Sequence, residues 1–452
     1  MNIRLRHLWY HITASFWFLP SCMALGAVAA SGAMIALDRV LNKGELLQQV
    51  GWIYSGGPDG SISVLSAIAG STVTVAGVVF SITMVALTLA SSQFGPRLLG
   101  NFMRDQVNQA VLGLFIGTFL YCLTVLPAIR RDPPFVPHLS ITIGILLALA
   151  CFFFVIYFIH HVAASINADN IIALVESDLE RITDSLFPEE MEEETGRPHG
   201  GPTNLPRDFR RRAVAAPATD TGYVQAMDTT GLLALATEEE LIVRLEYRPG
   251  DFIIKGTPLA RVWPPTADIE ELTPRLNNQF ILGRLRTPVQ DIELCINQIV
   301  EIALRALSPG INDTFTAITC IDRLGAALSR LAGRRLPSPA HHDDDGNLRL
   351  ISPSTTFQGA VDAAFNLIRQ NANVPVMIRL LETLRAIASQ AASAHQLQAL
   401  LRQAKMIVWD ARRRDIAPED LRDILARYET LSRATDTSIK GRIRPRRHRP
   451  SV

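Results

Sequence analysis

From Ile62 to Ala90 the chain carries no charged residue. These 29 residues at helical rise extend about 44 Å, against about 30 Å of bilayer hydrocarbon. The stretch is therefore read as a membrane span with apolar length to spare, one that must tilt, bend or project. One face of it is not greasy. Ser63, Ser66, Gly70, Thr74, Gly77, Ser81, Thr88 and Ser92 recur in steps of three, four or seven, which places them in one stripe along a helix. Gln93-Phe94-Gly95-Pro96-Arg97 then predicts a stop, because proline removes a donor and disfavours helix just before it.

Three more apolar runs flank this one. The four spans are read at about 15–37, 62–90, 107–126 and 139–161. None contains Asp, Glu, Lys or Arg between Ser15 and Leu37, Ile62 and Ala90, Val107 and Leu126, or Leu139 and Ile159. Arg4 and Arg6 precede the first run, and Ala27-Val28-Ala29 imitates a signal-peptidase site. The run continues uncharged to Leu37, too long for a signal peptide, so it is read as an uncleaved span. Trp9, Tyr10, Trp17 and Phe18 suit an interfacial belt. Span one is dense in Gly, Ala and Ser from Ala24 to Ala36, and Gly113 and Gly117 form a GxxxG face on span three. Both want a close-packed partner, and span two is a candidate for it. Asp105 is placed to cap span three, and His160 and His161 end span four as ligands or, more blandly, as interfacial polar residues.

Loop charges do not orient the chain. Arg4, Arg6, Arg97 and Arg104 stand on one side, and Arg39, Lys43, Arg130 and Arg131 on the other. The flank of the first helix breaks the tie and puts both termini in the cytoplasm. Net charge of +1 suggests no nucleic-acid partner. The five cysteines stand apart with no CxxC pair, so they read as small buried hydrophobes.

After residues 1–164 the expected order is a helical stalk at 165–187, a linker at 188–218, a small β module at 219–266, a helical domain at 267–435 and a basic disordered tail at 436–452. The stalk's apolar side is Ile171, Leu174, Val175, Leu179, Ile182 and Leu186. In the β module TGYVQAMD, LLALATEEE and LIVRLEYRPGDFIIKGTPLARVW read as short strands between turns. GDFIIKGTPLARV resembles the half-repeat of a barrel-sandwich hybrid, the fold of biotinyl and lipoyl carriers. Lys255 lacks the setting of a carrier lysine, so that resemblance implies a fold and no cofactor. Thr287-Pro288 predicts a helix start, Asn312 or Asp313 the cap of the next helix, and Asp343-Asp344-Asp345-Gly346-Asn347 a turn. Further helices are expected at about 357–371, 374–392, 395–413 and 418–433. The tail from Lys440 to Arg449 is basic enough to touch anionic lipid.

No HExxH, GxSxG, P-loop or GxGxxG motif occurs, so no catalytic activity, cofactor or metal is expected. Arg284 and Arg286 beside one helix start, with Asn312 and Asp313 at the next, form a candidate anion site. The alternative is that Asn312 and Asp313 cap a helix while the arginines pair with Asp291, Asp313 or Asp322.

FSITMVALTLASSQFGPRLL and, far downstream, ALSPGINDTFTA resemble a family of bacterial predicted integral membrane proteins, domain of unknown function 2254. The family's second motif more often reads Asn-Asp-Pro, where this chain has Asn312-Asp313-Thr314. The resemblance implies a four-span membrane region followed by a cytoplasmic domain, and it supplies no activity.

The expected fold is thus four transmembrane α-helices plus a mixed cytoplasmic region, a barrel-sandwich-like β module followed by a helical domain. One function fits a homo-oligomeric channel or passive pore in the bacterial inner membrane. Ser66, Gly70, Thr74, Gly77, Ser81, Thr88 and Ser92 would line it, with Gln93 and Arg97 at its mouth. The other is a membrane-anchored sensor or scaffold whose cytoplasmic domain binds a ligand or protein partner, in which the stripe is only helix packing.

Overall fold

The computed structural model describes residues 15–41, 54–95, 105–165, 167–187, 205–265, 268–334 and 337–443. Arg4, Arg6, Trp9, Tyr10, Lys43, Arg97, Arg104 and the tail beyond residue 443 lie outside them. The chain divides into two compact units, Met1–Asn170 and Ile171–Val452.

Among its described residues the first unit holds four helices long and apolar enough to cross a bilayer. They are α1 (Phe18–Leu41), α2 (Pro58–Phe94), α3 (Gln106–Val125) and α4 (His138–Ser165), with a short antiparallel ribbon of β1 (Arg130–Arg131) and β2 (Pro134–Phe135) between the last two. Pro58 stands in the first turn of α2, where its missing N–H costs nothing. Gly95 ends the helix at φ 115°, its amide donating to the Ser91 carbonyl. The stop predicted at Gln93–Arg97 therefore falls where glycine alone relaxes the backbone.

Close approach organises the bundle. A β-carbon on Gly113 would lie 2.6 Å from Met23 Sδ and 3.2 Å from Pro20 Cα, and one on Gly117 would lie 3.4 Å from Ala27 Cβ. The small residues of α1 and the GxxxG face of α3 are therefore each other's partner. Ser31 and Thr124 join the same seam through their hydroxyls at 2.7 Å. Packing and polar links replace the missing hydrophobic drive between helices in lipid. α2 lays its other side on α3 and α4. Ala76, Val79, Val111, Phe115, Cys151 and Phe158 share one buried cluster, and a β-carbon on Gly144 would meet Leu65 Cδ2 at 3.1 Å.

Each end of the bundle is tied by a carboxylate. Asp105 accepts from the Val107 amide at 2.9 Å, the predicted cap, and also meets His161 Nε2 at 2.6 Å. At the other end Asp38, 2% exposed, accepts from the amides of Leu139 and Ser140 at 3.0 and 2.9 Å and from the Ser140 hydroxyl at 2.6 Å. The last turn of α1 thereby satisfies orphan amides at the start of α4.

The second unit opens with α5, helical from Ala168 to Leu186, whose apolar side carries buried Ile171, Val175, Leu179 and Ile182. A one-turn α6 (Phe209–Arg212) follows. The β region departs from the expected barrel-sandwich. Two open sheets are present: five strands in the order β3-β7-β5-β10-β9, and three in the order β6-β4-β8. Their ranges are β3 Val214–Pro217, β4 Gly222–Met227, β5 Ile242–Leu245, β6 Phe252–Ile253, β7 Pro258–Trp263, β8 Phe280–Gly283, β9 Ala340–His342 and β10 Leu348–Ile351. Strands from outside 219–266 complete both sheets. β8 pairs with β4, and β10 lies parallel to β5. The two strands of GDFIIKGTPLARV go to different sheets, and neither sheet is closed. LLALATEEE is also a correction. It is mostly α7, Thr229–Glu238, capped by Asp228, whose carboxylate accepts from Gly231 N. Leucine and alanine are helix formers, and no β-branched run opposes them.

The helices are α8 (Ile269–Asn277), α9 (Ile292–Ala306), α10 (Thr314–Ala332), α11 (Phe357–Asn371), α12 (Val374–Gln390), α13 (Ala394–Arg412) and α14 (Pro418–Ile443). The last four start within a residue of expectation, and α14 runs into the segment expected as a disordered tail from 436. Ser393 and Gln396 form a capping box at α13. Asp343 closes the β9–β10 turn, accepting from the Asp345 and Asn347 amides and from Arg349.

Candidate functional site

The stripe on α2 faces away from the rest of its own bundle. Ser61, Leu65, Ala69, Thr72, Ala76, Val79 and Ala90 are buried, while Ser66, Gly70, Thr74, Gly77, Ser81, Thr88 and Ser92 are all exposed. At 3.6 residues per turn the two sets lie roughly 150° apart around the helix. A β-carbon on Gly70 or Gly77 would meet nothing within 4 Å. Among the described residues no neighbour requires glycine at either position.

Hydroxyls survive on an outward face by bonding their own helix. Thr74 donates to the Gly70 carbonyl at 2.9 Å, Thr88 to Met84 at 2.8 Å and Ser92 to Leu89 at 2.8 Å. That arrangement commits each hydroxyl proton to the helix backbone. The stripe is flanked by exposed Val73, Val78, Phe80 and Val85, and the outward face of α4 is apolar. Phe152, Phe153, Phe154, Ile156, Tyr157 and Ile159 are exposed there, a surface matched to lipid chains. Thirty-seven residues of α2 extend about 55 Å, so the stripe is long enough to cross a hydrocarbon layer.

Gln93 lies in the last turn of α2 without a described side chain, and Arg97 lies outside the described residues. The candidate anion site is not assembled. Arg286 makes a two-point pair with Asp291 at 2.7 and 2.8 Å, and Asp291 caps α9 through the Leu294 amide. The predicted start at Thr287-Pro288 is displaced to Ile292, because Asp291 is the better cap. Asp313 sits past the other end of α9, its amide bonded to the Ala306 carbonyl. Fifteen helical residues separate the two places by about 22 Å. Arg284 is exposed. Asn312 holds φ 50°, a left-handed turn. Asp313 caps α10 through the Thr316 amide at 3.0 Å and hydroxyl at 2.6 Å. The Thr316 hydroxyl first, then the amides, hold its carboxyl below the usual carboxylate range.

Asp38 is the polar residue whose part the sequence pattern did not show. Its partners are a hundred positions away, and nothing in the local pattern distinguishes a bundle tie from an ordinary loop aspartate.

Four helices long and apolar enough to cross a bilayer, followed by a mixed α/β unit, are the features of a predicted membrane protein. The family described as predicted membrane protein (DUF2254) matches residues 13–386, and the chain belongs to it. Uncharacterised proteins of Mycobacterium bovis and Mycobacterium tuberculosis are 32% identical over 413 residues, 89% of this chain and 77% of theirs. No solved structure matches.

Proposed function

We propose that this protein is an oligomeric channel or passive pore of the bacterial inner membrane, with both termini cytoplasmic. Copies would meet around α2. The observation that carries the proposal is the outward stripe from Ser66 to Ser92, set opposite the helix's own packing face. Its hydroxyl and backbone oxygens offer water a path without fixed charge, and Gln93 and Arg97 would form the mouth. The α1–α3 seam supports this, since it already provides a partner for the small residues that competed for α2. No catalysed step is part of the proposal.

The test is solute flux in liposomes for Thr74→Leu and Ser81→Leu, alongside oligomeric state in detergent. Blocked flux is expected in both variants. Unchanged flux in both, or a monomer that conducts, overturns the proposal. A second function, a ligand-binding membrane-anchored sensor, is favoured by one feature. A polar hollow of about 260 Å³ is lined by Glu239, Leu241, Pro264, Asp268, Glu271, Leu272 and Arg275. It predicts no conductance and a ligand that raises the melting temperature of the full chain.

A further inference from the structure

The stripe on α2 begins on a charge. Asp59 is the one charged residue between Pro58 and Phe94. It precedes Ser63 by four positions and Ser66 by seven, so at about 100° per residue it lies on the line of the stripe. The line is open here as it is further along: the Asp59 side chain is 78% exposed. The helix is continuous between the two, with the Ser63 hydroxyl donating to the Asp59 carbonyl at 2.9 Å. Asp59 and Gln93 are 34 positions apart, about 51 Å of helix. That exceeds the roughly 30 Å of hydrocarbon, so a helix centred on its uncharged run holds Asp59 among headgroups and water. A charge at that level avoids the cost of one in the membrane interior.

Asp59 does not stand alone. Arg131, 72 positions away on β1, meets its carboxylate at 2.6 Å. The ribbon sets Arg131 there, paired in register with Pro134. A carboxylate in the first turn of a helix has an ordinary reason to be present, because it complements the helix dipole. The arginine is not needed for that. A pair this exposed, at 74% and 78%, also adds little to stability, since water screens it. What the pair does have is placement: one positive and one negative group side by side, at the end of the stripe opposite Gln93. Arg130 and Asp132, on either side of Arg131, are exposed and cancel.

We propose, resting on the reading of α2 as the pore lining, that Asp59 and Arg131 form a charge filter at one mouth of the pore, one pair from each copy, and that the pore passes small inorganic ions of both signs. A ring of one sign selects the opposite ion. This ring carries both signs, so each group offsets the preference the other would impose. Removing Asp59 leaves guanidinium groups that favour anions, and removing Arg131 leaves carboxylates that favour cations. The test is the full chain in planar bilayers under a potassium chloride gradient, where the reversal potential reads the permeability ratio. Relative to wild type, Asp59→Asn is expected to move that ratio several-fold toward chloride and Arg131→Gln several-fold toward potassium. The double variant returns to the wild-type ratio. Both shifts shrink in high salt, because exposed charges are screened. A wild-type chain that passes no ions overturns the pore reading and the filter with it. A conducting wild type whose ratio stays the same in both single variants, or moves the same way in both, overturns the filter alone and leaves the pore standing.

Discussion

Two pairs of glycines in this protein lie in apolar helices and have opposite surroundings. Gly113 and Gly117 on α3 lie against α1, where an added β-carbon meets backbone or side chain within 3.4 Å. Gly70 and Gly77 on α2 face outward, where an added β-carbon meets nothing within 4 Å. In the first pair the missing side chain lets two helices touch. In the second it does nothing for the isolated chain. Small residues in an apolar helix therefore do not announce which helix they serve, or whether they serve one in the same chain.

The comparison breaks first at α3. Gly113→Leu forces bulk onto Pro20 Cα and Met23, and overpacking of this kind costs about 3 kcal/mol. The expected outcome is a sharp fall in folded yield and thermal midpoint in detergent. Asp38→Ala comes next. It orphans two amides and a hydroxyl at the start of α4 and is expected to cost about 2 kcal/mol. A midpoint unchanged in detergent would mean that this tie is dispensable. In the second unit a hydroxyl works as a cap instead of bonding its own helix. Ser393→Ala removes the capping box of α13 and should cost about 1 kcal/mol by urea titration.

A smaller effect is expected from Asp313. Its folded-state carboxyl lies below the ordinary range. The stability it contributes is therefore present above the ordinary carboxylate pKa and is lost as pH falls through the folded value. Asp313→Asn should flatten the acid limb of the melting curve below about pH 4 and leave neutral pH almost unchanged. The smallest effect on the isolated chain belongs to Gly77→Leu, within about 0.5 kcal/mol. In liposomes the same substitution should stop flux. A Gly77→Leu variant that melts as early as Gly113→Leu would erase the contrast between the two helices.

Much of this protein was legible as pattern. The four apolar helices, the Gly95 stop, the Asp105 cap and the last four helix starts follow from charge-free length, proline, glycine and capping residues, all of which act within a few positions. The strand pairing of the β region is set from farther away. β10 reaches β5 from more than a hundred residues away, and the pairing leaves no local trace. LLALATEEE forms helix where a strand is expected, because short apolar runs do not distinguish strand from helix without their neighbours.

The candidate site divides in the same way. Periodicity placed Ser66 to Ser92 on one stripe, and the sequence alone determined that such a stripe exists on a helix long enough for a bilayer. Only the tertiary structure decided that it points outward, because the direction a helix face takes depends on which other helices claim the remaining faces. It likewise separated Arg286 from Asp313 by the length of α9, and it joined Asp38 to Ser140. Local chemistry sets what a segment becomes, and packing sets what it meets.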